Sequence, residues 1–172
     1  MFVGHEVLLE VSFALARERL VRRTEDGALI SASEDAYGRG TAGLTRVGAA
    51  GLSKLVRVQF RELAWTDRSA GLAIRWEATG PGGGLFPVLD ADLRLASAGD
   101  QVTLLTMAGV YRPPLGPLGE ALDRAILHRV ADATIRNFAV WIAAQITGRP
   151  GAAEATASNG AGASPPDVPG SS

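Results

Sequence analysis

The chain has 172 residues, of which 47% are hydrophobic and 20% are charged, and its formal net charge is -1. This length allows one compact domain with an appendage and excludes a multidomain assembly. Because the net charge is close to zero, the protein has no general attraction to phosphate backbones, and we expect no nucleic-acid partner. The chain has no cysteine, which excludes disulfides, thiolate catalysis and iron–sulfur or cysteine–zinc centres.

Hydropathy along the chain argues against export and membrane insertion. Glu6 and Glu10 interrupt the first ten residues, whereas a secretory signal has a basic start and an unbroken apolar stretch. No run of about 18 uncharged apolar residues occurs, so we expect no membrane span and a cytoplasmic protein. Residues 148–172 are rich in Gly, Ala, Ser and Pro and predict a disordered tail behind a folded domain of residues 1–147.

The predicted elements begin with a strand and two short helices. Apolar and more polar residues alternate from Val7 to Phe13, which is typical of a strand with one buried face. Helix-forming residues follow from Ala14 to Arg23. A second short helix is predicted from Ala28 to Tyr37, with Gly38 and Gly40 ending it.

Strand-forming stretches then follow one another, separated by short turn-forming segments. Short connections favour antiparallel neighbours, since a parallel crossover needs a dozen or more residues. The sequence therefore predicts an antiparallel meander. Its predicted strands are Leu44–Val47, Leu55–Leu63, Leu72–Thr79, Val88–Ala96 and Val102–Tyr111.

Within these strands, apolar side chains share one face and charged side chains share the other. Val56, Val58 and Phe60 illustrate the apolar face. We interpret the opposite face as a solvated surface with cross-strand ion pairs and not as a source of catalytic carboxylates. Its charged residues are Arg75, Glu77, Asp90, Asp92 and Arg94.

A long helix is predicted from Pro117 to about Ile146. Prolines end the last strand, and proline is favoured in the first turn of a helix. Apolar residues cover a broad face of this helix, whereas Arg129, Asp132 and Arg136 lie on the opposite side. Such a wide apolar face indicates a helix that covers the sheet.

The chain resembles a known superfamily at this junction. The stretch Gly109–Gly119 (GVYRPPLGPLG), followed by Leu122-Asp123 and by Thr134–Phe138 within the helix, resembles the end of START-related, polyketide-cyclase and pollen-allergen-like (SRPBCC) proteins. The resemblance covers roughly Glu6–Ile146. It implies an α+β helix-grip fold, in which a curved antiparallel sheet wraps around a long C-terminal helix and two short helices follow the first strand. It also implies a deep cavity for lipids, sterols, polyketides or other apolar molecules.

Polar residues within the apolar arc of the long helix are candidate ligand contacts. Asp123, Thr134 and Asn137 fall in this arc. A buried polar group without a partner costs about 1–3 kcal/mol, so each either bonds to the protein or faces a ligand or water. The alternatives are a bond to its own helix backbone for Thr134, and an interaction with the helix start or an arginine for Asp123.

Three aromatic residues are further candidates for the ligand-binding site. Trp76 and Tyr111 lie on strands, where a ring offers a flat apolar wall with a hydrogen-bonding tip. Core packing is the alternative for Trp76, and the direction of Tyr111 stays open because both faces of its strand are apolar. In the superfamily, loops rim the cavity mouth, which implies an apolar lip that includes Phe86.

The sequence predicts no metal site, no cofactor site and no identified catalytic residue. His5 and His128 lack a fixed spacing to carboxylates that would favour a metal. No serine lies in a nucleophile elbow. The Gly82–Gly84 loop is not followed by Gly-Lys-Ser/Thr and precedes a strand, so it does not form a phosphate-binding loop.

Three functions are compatible with these observations. The first is a non-catalytic binder or carrier of a lipid-like or polyketide-like molecule. The second is a polyketide aromatase/cyclase-type enzyme in which Asp123, Tyr111 or Asn137 moves protons or orients a carbonyl group. The third is a protein-interaction module with a filled cavity. The lack of an evident inward acid–base pair favours the first, while ligand identity and oligomeric state stay open.

Overall fold

The structure, a computed structural model, describes residues 2–45, 55–79, 86–112 and 124–148. Within these ranges it contains five β-strands and three α-helices. In chain order these are β1 (Phe2–Leu9), α1 (Phe13–Glu25), α2 (Ala28–Thr45), β2 (Leu55–Trp65), β3 (Ser69–Thr79), β4 (Val88–Gly99), β5 (Val102–Arg112) and α3 (Arg124–Thr147). The predicted α+β fold class and the pair of helices after the first strand are confirmed.

The strands form one curved antiparallel sheet in the order β1-β5-β4-β3-β2. The strands from β2 to β5 each pair with the next one along the chain, which confirms the predicted meander. The first strand closes the sheet on the far side of β5, with Val7 opposite Leu105. Within the described ranges, β1 and β2 are therefore the two edge strands.

The first strand lies earlier in the chain than its alternation predicts. It ends at Leu9, and α1 begins at Phe13, so Val11 and Phe13 do not belong to it. The extended stretch ends at Ser12, whose side chain accepts a hydrogen bond from the backbone N–H of Leu15 at 3.4 Å and so caps α1. The predicted continuation of the strand to Phe13 is wrong.

The second helix is longer than predicted. With 18 residues it continues through Gly38 and Gly40 to Thr45. The strand predicted at Leu44–Val47 is therefore wrong for its first two residues, which are helical. A glycine in a helix costs about 0.5–1 kcal/mol relative to alanine, and packing against α3 offsets this cost.

Gly40 makes this packing possible. A Cβ atom at this position would overlap the hydroxyl oxygen of Thr134 and would lie 2.9 Å from the carbonyl oxygen of Val130, both on α3. The two helices therefore cross with almost no space between them. A residue that looks like a helix end in the sequence is a helix–helix contact in the structure.

The long C-terminal helix packs against the sheet as predicted. It runs along β1 and β5 and contacts α1 and α2. The guanidinium of Arg19 in α1 donates a hydrogen bond to the carbonyl oxygen of Ile146 near the end of α3. Its buried residues line the predicted apolar face and include Leu127, Ala131, Ile135, Phe138 and Ile142.

The outer face of the sheet carries the predicted ion pairs. Arg75 lies opposite Asp90, and an Nη1–Oδ1 distance of 3.1 Å joins them. Glu77 lies 3.7 Å from the same guanidinium, and Arg112 approaches the second oxygen of Asp90 at 2.6 Å. Such half-exposed pairs contribute about 0.2–1 kcal/mol each. They fit the interpretation of this face as a solvated surface.

Several predictions concern residues outside the described ranges. They are the end of the Leu44–Val47 strand, the helix start at Pro117 and the disordered tail after residue 148. The division into residues 1–147 and 148–172 stays a prediction for the same reason. Among the helices that the structure describes, none is long and apolar enough to cross a membrane.

Candidate functional site

The inner face of the sheet is buried unevenly. On β3, Ile74 and Trp76 are only 2% and 0% exposed. Their direct partners on β2, Phe60 and Val58, are only half-buried, and so is Val56 one pair further along. We call Val56, Val58 and Phe60 the β2 strip. These side chains belong to the same apolar face as the core but are not fully covered.

The cover over the sheet explains this difference. Helix α3 runs along β1 and β5 and leaves the opposite edge to α2, which contacts β2. At Gly109 of β5 the packing against α3 is close, since a Cβ atom there would lie only 3.2 Å from the Cδ1 atom of Ile135. Leu105, Met107 and Phe138 are completely buried there. We call the β4, β5 and α3 side of the core the covered half.

Trp76 connects the covered half to the β2 strip. Its indole N–H donates a hydrogen bond to the carbonyl oxygen of Ser33 in α2 at 3.0 Å. Its ring meets Phe138 edge to face, with 5.7 Å between the ring centroids. Phe138 in turn stacks on Trp141 at 6.4 Å, and Trp141 is half-buried. The predicted candidate Trp76 is therefore a core residue with its polar atom bonded inside the protein.

A polar stripe on α2 also faces the interior, and the sequence reasoning missed it. Ser33, Tyr37 and Thr41 follow one another at four-residue intervals and are all buried. The Tyr37 hydroxyl donates a hydrogen bond to the carbonyl oxygen of Pro87 at 2.5 Å. Burial, and secondarily the negative charge of Glu77, raise the pKa of Tyr37 well above its usual 10.0. The four-residue spacing of the stripe was the available signal.

Thr134 takes the alternative that the sequence left open for it. It is completely buried, and its hydroxyl donates to the carbonyl oxygen of Val130 at 2.8 Å. Asn137, one turn further along α3, is half-buried. Asp123 lies outside the described residues. Ligand contact by these three residues stays a prediction.

Tyr111 and Phe86 lie at the same end of the sheet as Trp76. Tyr111 is buried on the inner face, which answers the question of its direction. It and Trp76 are both register partners of Leu89, one on each side of β4. The Tyr111 ring also lies 6.3 Å from that of His128 on α3. Phe86 is buried immediately before β4, so it faces the protein interior.

Two surface depressions lie away from the space beneath α3. The first, of about 360 Å³, lies on the outer face of the sheet, where Phe2, Ala73 and Val110 adjoin the Arg75–Asp90 pair. The second, of about 560 Å³, lies between α1 and Trp65. Among the described residues, no group of three or more His, Cys, Asp or Glu side chains is arranged to hold a metal ion.

No family model matches the chain, and no curated protein matches it. Several solved structures do match the chain. A conserved protein from Geobacillus kaustophilus is 14% identical with a TM-score of 0.50 over 86% of this chain and 96% of its own. A hypothetical protein from Helicobacter pylori is 11% identical with a TM-score of 0.45 over 82% and 87%. The Zhui aromatase/cyclase from Streptomyces sp. R1128 is 11% identical with a TM-score of 0.38 over 86% and 92%.

At these identities the similarity concerns the fold and not the activity. The likeness to the Geobacillus protein extends over 86% of this chain. The strand order and the long helix agree with the architecture that the sequence resemblance implied. The chain therefore shares the fold of this Geobacillus protein, in which an antiparallel sheet packs against a long C-terminal helix.

Proposed function

We propose that this protein binds an apolar, lipid-like or polyketide-like small molecule along the β2 strip, as a non-catalytic binder or carrier. The observation that carries the proposal is the incomplete burial of Val56, Val58 and Phe60, although the β3 partners of Val58 and Phe60 are fully buried. Covering exposed apolar surface contributes about 25 cal/mol per Å². A ligand laid on the strip would supply the cover that α3 provides elsewhere.

The surroundings of the strip suit an apolar ligand. Ala78 on β3 and Trp141 on α3 are also only partly buried and pack against the same core. Small-molecule sites are mostly lined by hydrophobic and aromatic side chains with a few polar groups. The strip is on β2, against which α2 packs. This packing of α2 against β2 is less extensive than the packing of α2 against α3. The β2 edge of the sheet is therefore a more favourable place for a ligand to insert than the contact between α2 and α3.

The polar groups near the strip favour binding over catalysis. The Trp76 indole N–H bonds to Ser33, and the Tyr37 hydroxyl bonds to Pro87. Because the pKa of Tyr37 is raised, its hydroxyl keeps its proton at neutral pH and does not act as a base. These groups hold the fold together, and a binder needs no further chemistry from them.

A fluorescence titration with N-phenyl-1-naphthylamine, an uncharged apolar dye, tests the proposal. We expect the wild-type protein to bind the dye and long-chain alcohols to displace it. Val58→Arg should weaken dye binding at least tenfold, because it places a charge in the strip. Gln59→Arg is the matched control, since Gln59 is exposed on the other face of the same strand. It should leave binding unchanged within about twofold, since an exposed charge is easily solvated.

Circular dichroism of both variants checks that they fold. A folded Val58→Arg protein that binds the dye as the wild type does would place the ligand elsewhere. Native mass spectrometry of the freshly purified protein gives an independent result. A wild-type protein that retains no small molecule and binds neither the dye nor an alcohol contradicts the proposed function.

A further inference from the structure

Ser33 suggests which class of apolar molecule the strip accepts. Within the described ranges, its Oγ atom is the buried side-chain polar atom that has no hydrogen-bond partner. We infer that the ligand is a neutral apolar molecule with one hydroxyl or carbonyl oxygen, and that this oxygen hydrogen-bonds to Ser33. This inference rests on the proposed function.

The orientation of the Ser33 hydroxyl is unusual for this protein. The helical threonines Thr24, Thr41, Thr134 and Thr147 each donate their hydroxyl hydrogen to the carbonyl oxygen four residues earlier. A buried hydroxyl in a helix usually satisfies itself in this way. Ser33 is buried as completely as Thr134 but does not do so. Its hydroxyl is therefore the one that a group from outside the helix can satisfy.

Ser33 also lies next to the strip. Its carbonyl oxygen accepts the indole N–H of Trp76 at 3.0 Å, so Ser33 lies directly against the inner face of β3. Trp76 and Val58 are register partners on adjacent strands, and adjacent strands are about 4.8 Å apart. A ligand that covers Val58 thus needs to extend past only one indole ring to reach the Ser33 hydroxyl.

The chemistry of the hydroxyl limits what it can recognise. A serine hydroxyl offers one donor and two acceptor positions, so it pairs equally well with an alcohol, a phenol or a ketone. A charged head group is disfavoured, because Ser33 is completely buried, its carbonyl oxygen is already bonded to Trp76, and a buried charge needs a partner. A pure hydrocarbon leaves the hydroxyl unpaired, which makes it the weaker ligand.

Paired ligands test this inference. We expect the wild-type protein to bind 2-naphthol about five to ten times more tightly than naphthalene, as one neutral hydrogen bond provides. Ser33→Ala should reduce this ratio to about one by weakening 2-naphthol binding, with naphthalene binding unchanged. Ser31→Ala is the matched control, since Ser31 is exposed on the same helix. It should keep the wild-type ratio. Dye displacement measures all six affinities.

The outcomes separate the two proposals. Equal ratios in the wild-type and Ser33→Ala proteins, with both compounds bound, overturn the inference and leave the proposed function in place. Binding of neither compound to the wild-type protein contradicts the proposed function itself. Urea unfolding without ligand gives a second readout. If the hydroxyl is unpaired, Ser33→Ala does not lower the free energy of unfolding, whereas a clear loss shows an internal partner and overturns the inference.

Discussion

The covered half and the β2 strip have the same alternating sequence pattern but differ in how deeply their side chains are buried. Val58 and Phe60 on β2 alternate with exposed polar residues just as Leu105 and Met107 on β5 alternate with less buried ones. Leu105 and Met107 are completely buried because α3 lies on β5, whereas Val58 and Phe60 are half-buried. Alternation therefore indicates which way a side chain points. It does not indicate what covers it.

Large-to-small substitutions in the two regions test this contrast with the largest expected effect. Phe138→Ala should lower the free energy of unfolding by about 3–5 kcal/mol, because it leaves a cavity between Trp76 and Trp141. Phe60→Ala should cost less than half as much, since its ring is already partly solvated. Urea unfolding followed by circular dichroism measures both. Equal losses would show that the strip is as well packed as the covered half.

The crossing of α2 and α3 gives the next effect in size. Gly40→Ala should destabilise the protein by about 1–3 kcal/mol, because the added methyl group collides with Thr134 and Val130. Gly38→Ala is the control in the same helix, since a Cβ atom there meets nothing within 4 Å. It should stabilise the protein by about 0.5–1 kcal/mol through helix propensity. Thermal or urea unfolding of the two variants should therefore give shifts of opposite sign. A stabilising Gly40→Ala would contradict the close approach of the helices.

The smallest effect concerns Tyr37, which ties α2 to the start of β4. Tyr37→Phe should cost about 0.5–1.5 kcal/mol at neutral pH through the lost bond to Pro87. Because the pKa of Tyr37 is higher in the folded than in the unfolded protein, the protonated hydroxyl stabilises the fold below the unfolded value of 10.0. This contribution is lost as the pH rises above that value.

The difference between wild type and Tyr37→Phe in the free energy of unfolding should therefore begin to shrink near pH 10, where an unfolded tyrosine ionises, and should continue to shrink at higher pH. Urea unfolding at several pH values measures it. A difference that stays constant over this range would mean that Tyr37 titrates normally in the folded protein.

The sheet was the part of the fold most accessible to sequence reasoning. The alternation around Val58, Trp76 and Leu93 predicted both the strands and their inner faces, because the side-chain period of a strand is two residues. The helix boundaries were less accessible. Gly40 was interpreted as a helix end, although its contact with Thr134 belongs to α3, which is remote in the sequence.

The candidate site shows the same division. Strand parity predicted that Trp76 faces inward, whereas it left the direction of Tyr111 open, and it did not indicate which groups their side chains contact. Ser33 and Tyr37 were missed, because their four-residue spacing lies in a helix whose buried face depends on β3 and Pro87. Whether Trp76, Tyr111, Asp123, Thr134, Asn137 and Phe86 contact a ligand stays a prediction.

The sequence by itself determined the order of strands and helices, the face of each strand and the long apolar helix, because these follow from local periodicity and turn chemistry. Only the tertiary structure decided that α3 lies over β1 and β5, that α2 continues past two glycines, and that β2 stays half covered. Those features depend on contacts between residues far apart in the chain, and no local pattern encodes where such elements meet.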